Sequence, residues 1–164
     1  MRALAVGILL AAAAFAQEPL HEVCGACHTT AAEDFLSHKH PGVGMDCATC
    51  HGPSERHREA AGAAPPDRVA APQQVAELCG MCHAAQAADY TKSAHGELVA
   101  AMSKTRAPNC GTCHDVHRIR PMKSMERRCN GCHRQRPEAC AGEPLREAAL
   151  SCAGCHNPHR FNIE

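Results

Sequence analysis

The chain has no tryptophan, one tyrosine and three phenylalanines among its 164 residues. Large aromatic side chains dominate burial in ordinary cores, so a conventional aromatic core is excluded. The same shortage removes the platforms on which nucleic-acid binders stack bases. No apolar run reaches the roughly 20 residues that a membrane-spanning helix requires. No stretch alternates apolar and polar residues in the manner of a half-buried strand. Neither charge sign dominates, with 17 Lys and Arg against 17 Asp and Glu.

What the chain holds instead is 13 cysteines and 13 histidines. Twelve of the cysteines fall into six Cys-x-x-Cys-His motifs: Cys24/Cys27/His28, Cys47/Cys50/His51, Cys79/Cys82/His83, Cys110/Cys113/His114, Cys129/Cys132/His133 and Cys152/Cys155/His156. Repeated Cys-x-x-Cys pairs also serve tetrahedral zinc or disulfides in small exported scaffolds. Neither use requires a histidine at the next position. Its placement after all six pairs by chance is on the order of one in a few million. The order of residues is that of c-type haem attachment: two thiols three residues apart reach the vinyl groups on one porphyrin edge, and the imidazole that follows falls beneath the iron. Six covalently attached haem c groups are therefore expected, with the six motif histidines as proximal ligands.

Such cofactors account for the missing core. Much of the apolar fraction is Ala and Cys, and flat apolar macrocycles fixed by covalent bonds replace side-chain burial. The apoprotein is expected to be largely unfolded. Ionised propionates make the loaded protein acidic, and more so when reduced. The basic run Arg118, Arg120, Lys123, Arg127, Arg128, Arg134 and Arg136 reads as propionate neutralisation ahead of a docking patch.

Residues 1–16 read as a cleaved signal peptide: Met1 and Arg2 lead an apolar run that closes on Ala14-Phe15-Ala16 before Gln17. A membrane anchor would need a longer run. Export implies a periplasmic or extracellular location. The rest divides into an N-terminal dihaem segment (17–58), an Ala/Pro-rich linker (59–74) and a C-terminal tetrahaem segment (75–164). Short helices are expected at 31–37, 73–88, 97–103 and 144–150. The expected fold is mainly α with extensive irregular chain, organised around a stack of haems.

Laying Cys24 on Cys79 aligns CGACHTTAAEDFLSHKHPG with CGMCHAAQAADYTKSAHGE. In both copies an Asp (Asp34, Asp89), an aromatic (Phe35, Tyr90) and a histidine (His40, His95) follow in register. His40 rather than His38 is thus the candidate distal ligand, and His38 is the spare. His117 and His159 stand three residues after a motif histidine, a span of about 10 Å. They cannot round their own porphyrin, so each ligates a neighbouring haem or none. His57 faces a weaker form of this limit, and His21 precedes the first motif. The six distal candidates are His21, His40, His57, His95, His117 and His159. Met45, Met102, Met122 and Met125 are competing axial ligands, but none recurs in register.

The chain resembles the multihaem c-type cytochromes, most closely the periplasmic group that includes decahaem electron conduits and the pentahaem donor to nitrite reductase. The residues that carry the likeness are Tyr90, Ser93 and His95 ahead of Cys110, the CHGP turn at Cys50 to Pro53, and the CHxxH forms at His114/His117 and His156/His159. The resemblance implies a bis-histidine haem wire between redox proteins: a quinol-side donor cytochrome on one side, a terminal reductase or outer-surface cytochrome on the other. The chain then carries electrons and is not an enzyme. Two other readings compete. A multihaem oxidoreductase acting on a small nitrogen or sulfur compound would need an open iron, commonly built on Cys-x-x-Cys-Lys, which does not occur here. A cytochrome filament would donate a histidine such as His21 or His159 between copies. Cys140 belongs to no motif and reads as drift ahead of a free thiol or an intermolecular disulfide.

Overall fold

The computed structural model describes residues 20–101, 107–134, 152–154 and 156–161. The segment 1–16 expected to be a signal peptide, Met102, Arg136, Cys140, Cys155 and the helix expected at 144–150 lie outside them. The described chain is mainly helical and contains no strand element. Its helices are α1 (Leu20–Gly25), α2 (Thr29–Leu36), α3 (Cys47–His51), α4 (Glu55–Glu59), α5 (Val75–Gly80), α6 (Ala84–Thr91), α7 (Ala94–Ala101), α8 (Cys110–His114) and α9 (Met122–Cys132), with 3-10 turns at Pro41–Val43, Pro72–Gln74 and Cys152–Gly154. The helix expected at 73–88 is two helices, because the chain turns at Met81 to His83 inside the third motif.

The repeat seen in the sequence is a repeat in packing. α1 packs on α2 as α5 packs on α6, and both contacts depend on a glycine inside the motif. A Cβ on Gly25 would lie 3.0 Å from the Cβ of Ala32, and one on Gly80 would lie 2.9 Å from that of Ala87. The second motif of each copy starts with a reciprocal cap. Asp46 Oδ1 accepts the Thr49 N–H at 3.0 Å while Thr49 Oγ1 accepts the Asp46 N–H at 3.1 Å. Asn109 and Thr112 do the same at 3.2 and 3.1 Å, an arrangement that satisfies donors the helix itself leaves unmade.

Little else is buried. Among the described residues the buried apolar side chains are Phe35, Ala76, Tyr90 and Val99, far too few to offset the entropy of ordering the chain. Phe35 and Tyr90 are the register-equivalent aromatics. Tyr90 donates its hydroxyl to Pro108 O at 2.9 Å, which fixes the approach to the fourth motif. Ser93, 2% exposed, donates to Tyr90 O at 2.6 Å and accepts the Gly96 N–H at 3.1 Å. That cap starts α7 and sets the position of His95.

Candidate metal centres

Each motif histidine is placed by a local turn. The N–H groups of His28, His83, His133 and His156 bond the carbonyl of the first motif cysteine at 2.8–2.9 Å. One helical turn sets residues three apart on one face, so each cysteine pair presents together with its histidine alongside. None of the described motif cysteines is in a disulfide. The helices that carry first and second motifs pack together, α1 on α3, α5 on α8, and α9 on the turn at Cys152–Gly154. The motifs thus associate two by two, as three units.

The histidines of different motifs face one another. Ring centroids lie 6.0 Å apart for His28 and His57, 6.0 Å for His51 and His117, and 6.0 Å for His114 and His159. They lie 6.3 Å apart for His40 and His83, and 5.9 Å for His95 and His133. Every pair sets one motif histidine against one surplus histidine. A metal–nitrogen bond is about 2.0–2.1 Å, so two imidazoles on opposite sides of one iron have facing nitrogens about 4 Å apart and ring centroids about 6 Å apart. Direct contact between rings is shorter, as His38 and His40 show at 4.2 Å. The five wider separations are uniform and have the length that one metal ion fills. The arrangement is of opposed pairs, since among the described residues no three or more His, Cys, Asp or Glu side chains converge as metal donors.

Electrostatics favour the ligating form. Burial, then the facing imidazole, holds His40, His95 and His114 below the usual histidine range, so the rings are neutral and keep a lone pair for a metal. Outer contacts orient several of them. His51 Nδ1 meets Arg68 O at 3.1 Å, His57 Nδ1 meets Ala64 O at 2.7 Å, and His156 Nδ1 meets Phe161 O at 3.2 Å.

Sequence reasoning missed most of this second layer. The segment 59–74, expected to be a linker, supplies the carbonyls of Ala64 and Arg68 to two imidazoles. It is held by Asp67, whose Oδ2 accepts the Ser54 N–H at 2.8 Å and whose own N–H reaches Ser54 Oγ at 3.1 Å. Asp115 Oδ1 accepts the His117 N–H at 3.3 Å and Asn157 Oδ1 the His159 N–H at 3.0 Å. These Asx turns aim the second histidine of each CHxxH, and the Asp and Asn in CHDVH and CHNPH were the legible signal. Arg160 binds Asp89 Oδ1 through Nε at 3.0 Å and Nη2 at 2.7 Å, tying the sixth motif to α6.

Of the distal candidates, His40, His57, His95, His117 and His159 each face a motif histidine. His21 on α1 and His156 of the sixth motif face no imidazole among the described residues, and these include all 13 histidines. His38 stacks on His40, and its Nδ1 accepts the His40 N–H at 3.4 Å. It occupies the register position of Ser93, the capping residue of the other copy, which gives it a structural task.

Motif cysteines beside opposed imidazole pairs define the ligand set of a multihaem c-type cytochrome. The chain belongs to the cytochrome c3 family, whose sequence model matches residues 38–134. It is 27% identical over 137 residues to the multiheme cytochrome MtrA of Shewanella baltica (strain OS185), covering 75% of this chain and 38% of that protein. The chain thus spans under half of that relative's length. No solved structure matches it. Membership of that family makes it a multihaem c-type cytochrome, whose cofactor is covalently bound haem c, and no helix of the described residues is long and apolar enough to cross a membrane.

Proposed function

We propose that this chain is an exported hexahaem cytochrome that passes electrons along its haems between redox proteins in the periplasm or outside the cell. The five opposed imidazole pairs at 5.9–6.3 Å carry the reading. Bound at these positions, haem supplies one-electron carriage. The thioether bonds come from Cys24, Cys27, Cys47, Cys50, Cys79, Cys82, Cys110, Cys113, Cys129, Cys132, Cys152 and Cys155, and the proximal imidazoles from His28, His51, His83, His114, His133 and His156.

The distal imidazoles follow a rule of exchange. His40 and His95 reach forward to the first motif of the next unit, His83 and His133, while His117 and His159 reach back to the second motif of the unit before, His51 and His114. His57 closes on His28 within its own unit. Every unit therefore helps to ligate another, which packs the haems into one connected array and keeps them close enough for transfer. Bis-imidazole ligation keeps the irons low-spin, with little change of geometry between oxidation states. A quinol-side donor and a terminal reductase or outer-surface acceptor are the partners this chemistry fits.

The test is intact mass of holoprotein from a host with c-type maturation. Six covalent haems on a chain starting at Gln17 are expected. Four or fewer haems, or zinc in their place, would overturn the proposal.

A further inference from the structure

One short loop holds two of the paired imidazoles from behind. His57 Nδ1 lies 2.7 Å from Ala64 O, and His51 Nδ1 lies 3.1 Å from Arg68 O. A carbonyl oxygen only accepts, so each Nδ1 carries the proton and each Nε2 keeps its lone pair for a metal. The residues between the two carbonyls are Pro65, Pro66 and Asp67. Proline fixes φ at about −65°, which leaves this stretch little freedom, and Asp67 pins it to the turn after the second motif. Its Oδ2 accepts the Ser54 N–H at 2.8 Å, and its own N–H donates to Ser54 Oγ at 3.1 Å. Ser54 is 8% exposed and donates its hydroxyl to His51 O at 3.1 Å. The Arg68 N–H donates to the same carbonyl at 3.1 Å, so His51 and Arg68 are bonded twice. Gly52 leaves room for this clasp, since a Cβ there would lie 2.9 Å from the Asp67 Cβ.

We infer that Asp67 is a positioning residue for two irons: through the loop 64–68 it keeps the Nδ1 protons of His51 and His57 on their carbonyls and so sets both reduction potentials together. The inference rests on the pairing proposed above, in which His57 closes the iron of His28 and His51 shares its iron with His117. An Nδ1–H donated to a carbonyl raises the basicity of the ligating nitrogen, and hydrogen bonding behind the ligand is one of the levers on the potential of a haem iron. A stronger donor favours the ferric state and lowers that potential. The clasp therefore holds the two irons of the first unit low as a matched pair, and neither acceptor can be moved without disturbing the other.

The experiment is a redox titration of the full-length holoprotein, followed in the haem absorption bands and by EPR, for Asp67→Ala and Asp67→Asn. Asp67→Ala should raise the potentials of two irons and shift the g-values of two low-spin signals, with the haem count by intact mass unchanged. Asp67→Asn keeps an oxygen that accepts the Ser54 N–H and should leave both irons close to the unaltered protein. Ser54→Ala cuts the clasp from its other side and should move the same two irons in the same direction. His57→Ala tests the pairing and should turn one iron high-spin. If it does so while Asp67→Ala moves no potential, or only one, the inference fails and the pairing stands. If it opens no iron, the pairing of His57 with His28 is wrong and the inference falls with it. Equal shifts in Asp67→Asn and Asp67→Ala would assign the effect to the carboxylate charge, and loss of haem from all three clasp variants would make the clasp a folding element. Either result overturns the inference.

Discussion

The unit from Cys24 to His57 and the unit from Cys79 to His117 share a plan but differ in how they end. In the first, Gly52 takes a φ of 74° directly after the motif, Ser54 is held at a φ of 50°, and the chain runs through α4 so that His57 returns to His28. In the second, Asp115 stands at the Gly52 position with a φ of 56°, caps the His117 N–H, and receives Arg120 Nη2 at 2.8 Å. A two-residue turn then delivers His117 to His51 of the first unit. One unit closes on itself and the other closes its neighbour. A repeated sequence thus fixes which histidines stand in register, while the length and chemistry of the turn after each motif decide which motif histidine they face.

Preventing haem attachment should erase the comparison altogether. With four buried apolar side chains among the described residues, chain made without c-type maturation is expected to show a largely unfolded far-UV circular dichroism spectrum. A well-folded apoprotein would show that the polypeptide, and not the cofactors, forms the core.

Removing the register-matched histidines comes next in size. His40→Ala and His95→Ala should each convert one iron from low to high spin, because each ring stands across from one motif histidine. His38→Ala should leave the spin count unchanged. A spin change on His38→Ala without one on His40→Ala would break the alignment of the two copies.

Smaller effects compare the copies residue by residue. Gly25→Ala and Gly80→Ala should each lower the unfolding free energy by about 1–3 kcal/mol through overpacking, measured by denaturant titration, and Ala32→Gly or Ala87→Gly should recover part of it. Unequal losses would mean that the two helix pairs are not equivalent. Asp46→Ala and Asn109→Ala should each cost about 1 kcal/mol as lost caps, by the same measurement.

The six Cys-x-x-Cys-His motifs were legible because meeting both vinyl groups of one porphyrin calls for two thiols at a fixed local spacing, which is visible in any reading of the chain. His40 and His95 were legible through register. Their partners His83 and His133 were not, since the pairing depends on how units stack in space. The role of residues 59–74 was hidden for a different reason: Ala64 and Arg68 act through backbone carbonyls, which side-chain identity does not announce. His38 was legible as the spare histidine, but not that its ring would take the place of Ser93 in the other copy and accept the His40 N–H.

The exchange of imidazoles between units is tested most directly by near-infrared magnetic circular dichroism of the oxidised holoprotein, which separates bis-imidazole iron from imidazole–methionine and imidazole–water iron. Five bis-imidazole irons per chain is the predicted result. Fewer than five would contradict the pairing of His28 with His57, His51 with His117, His83 with His40, His114 with His159 and His133 with His95.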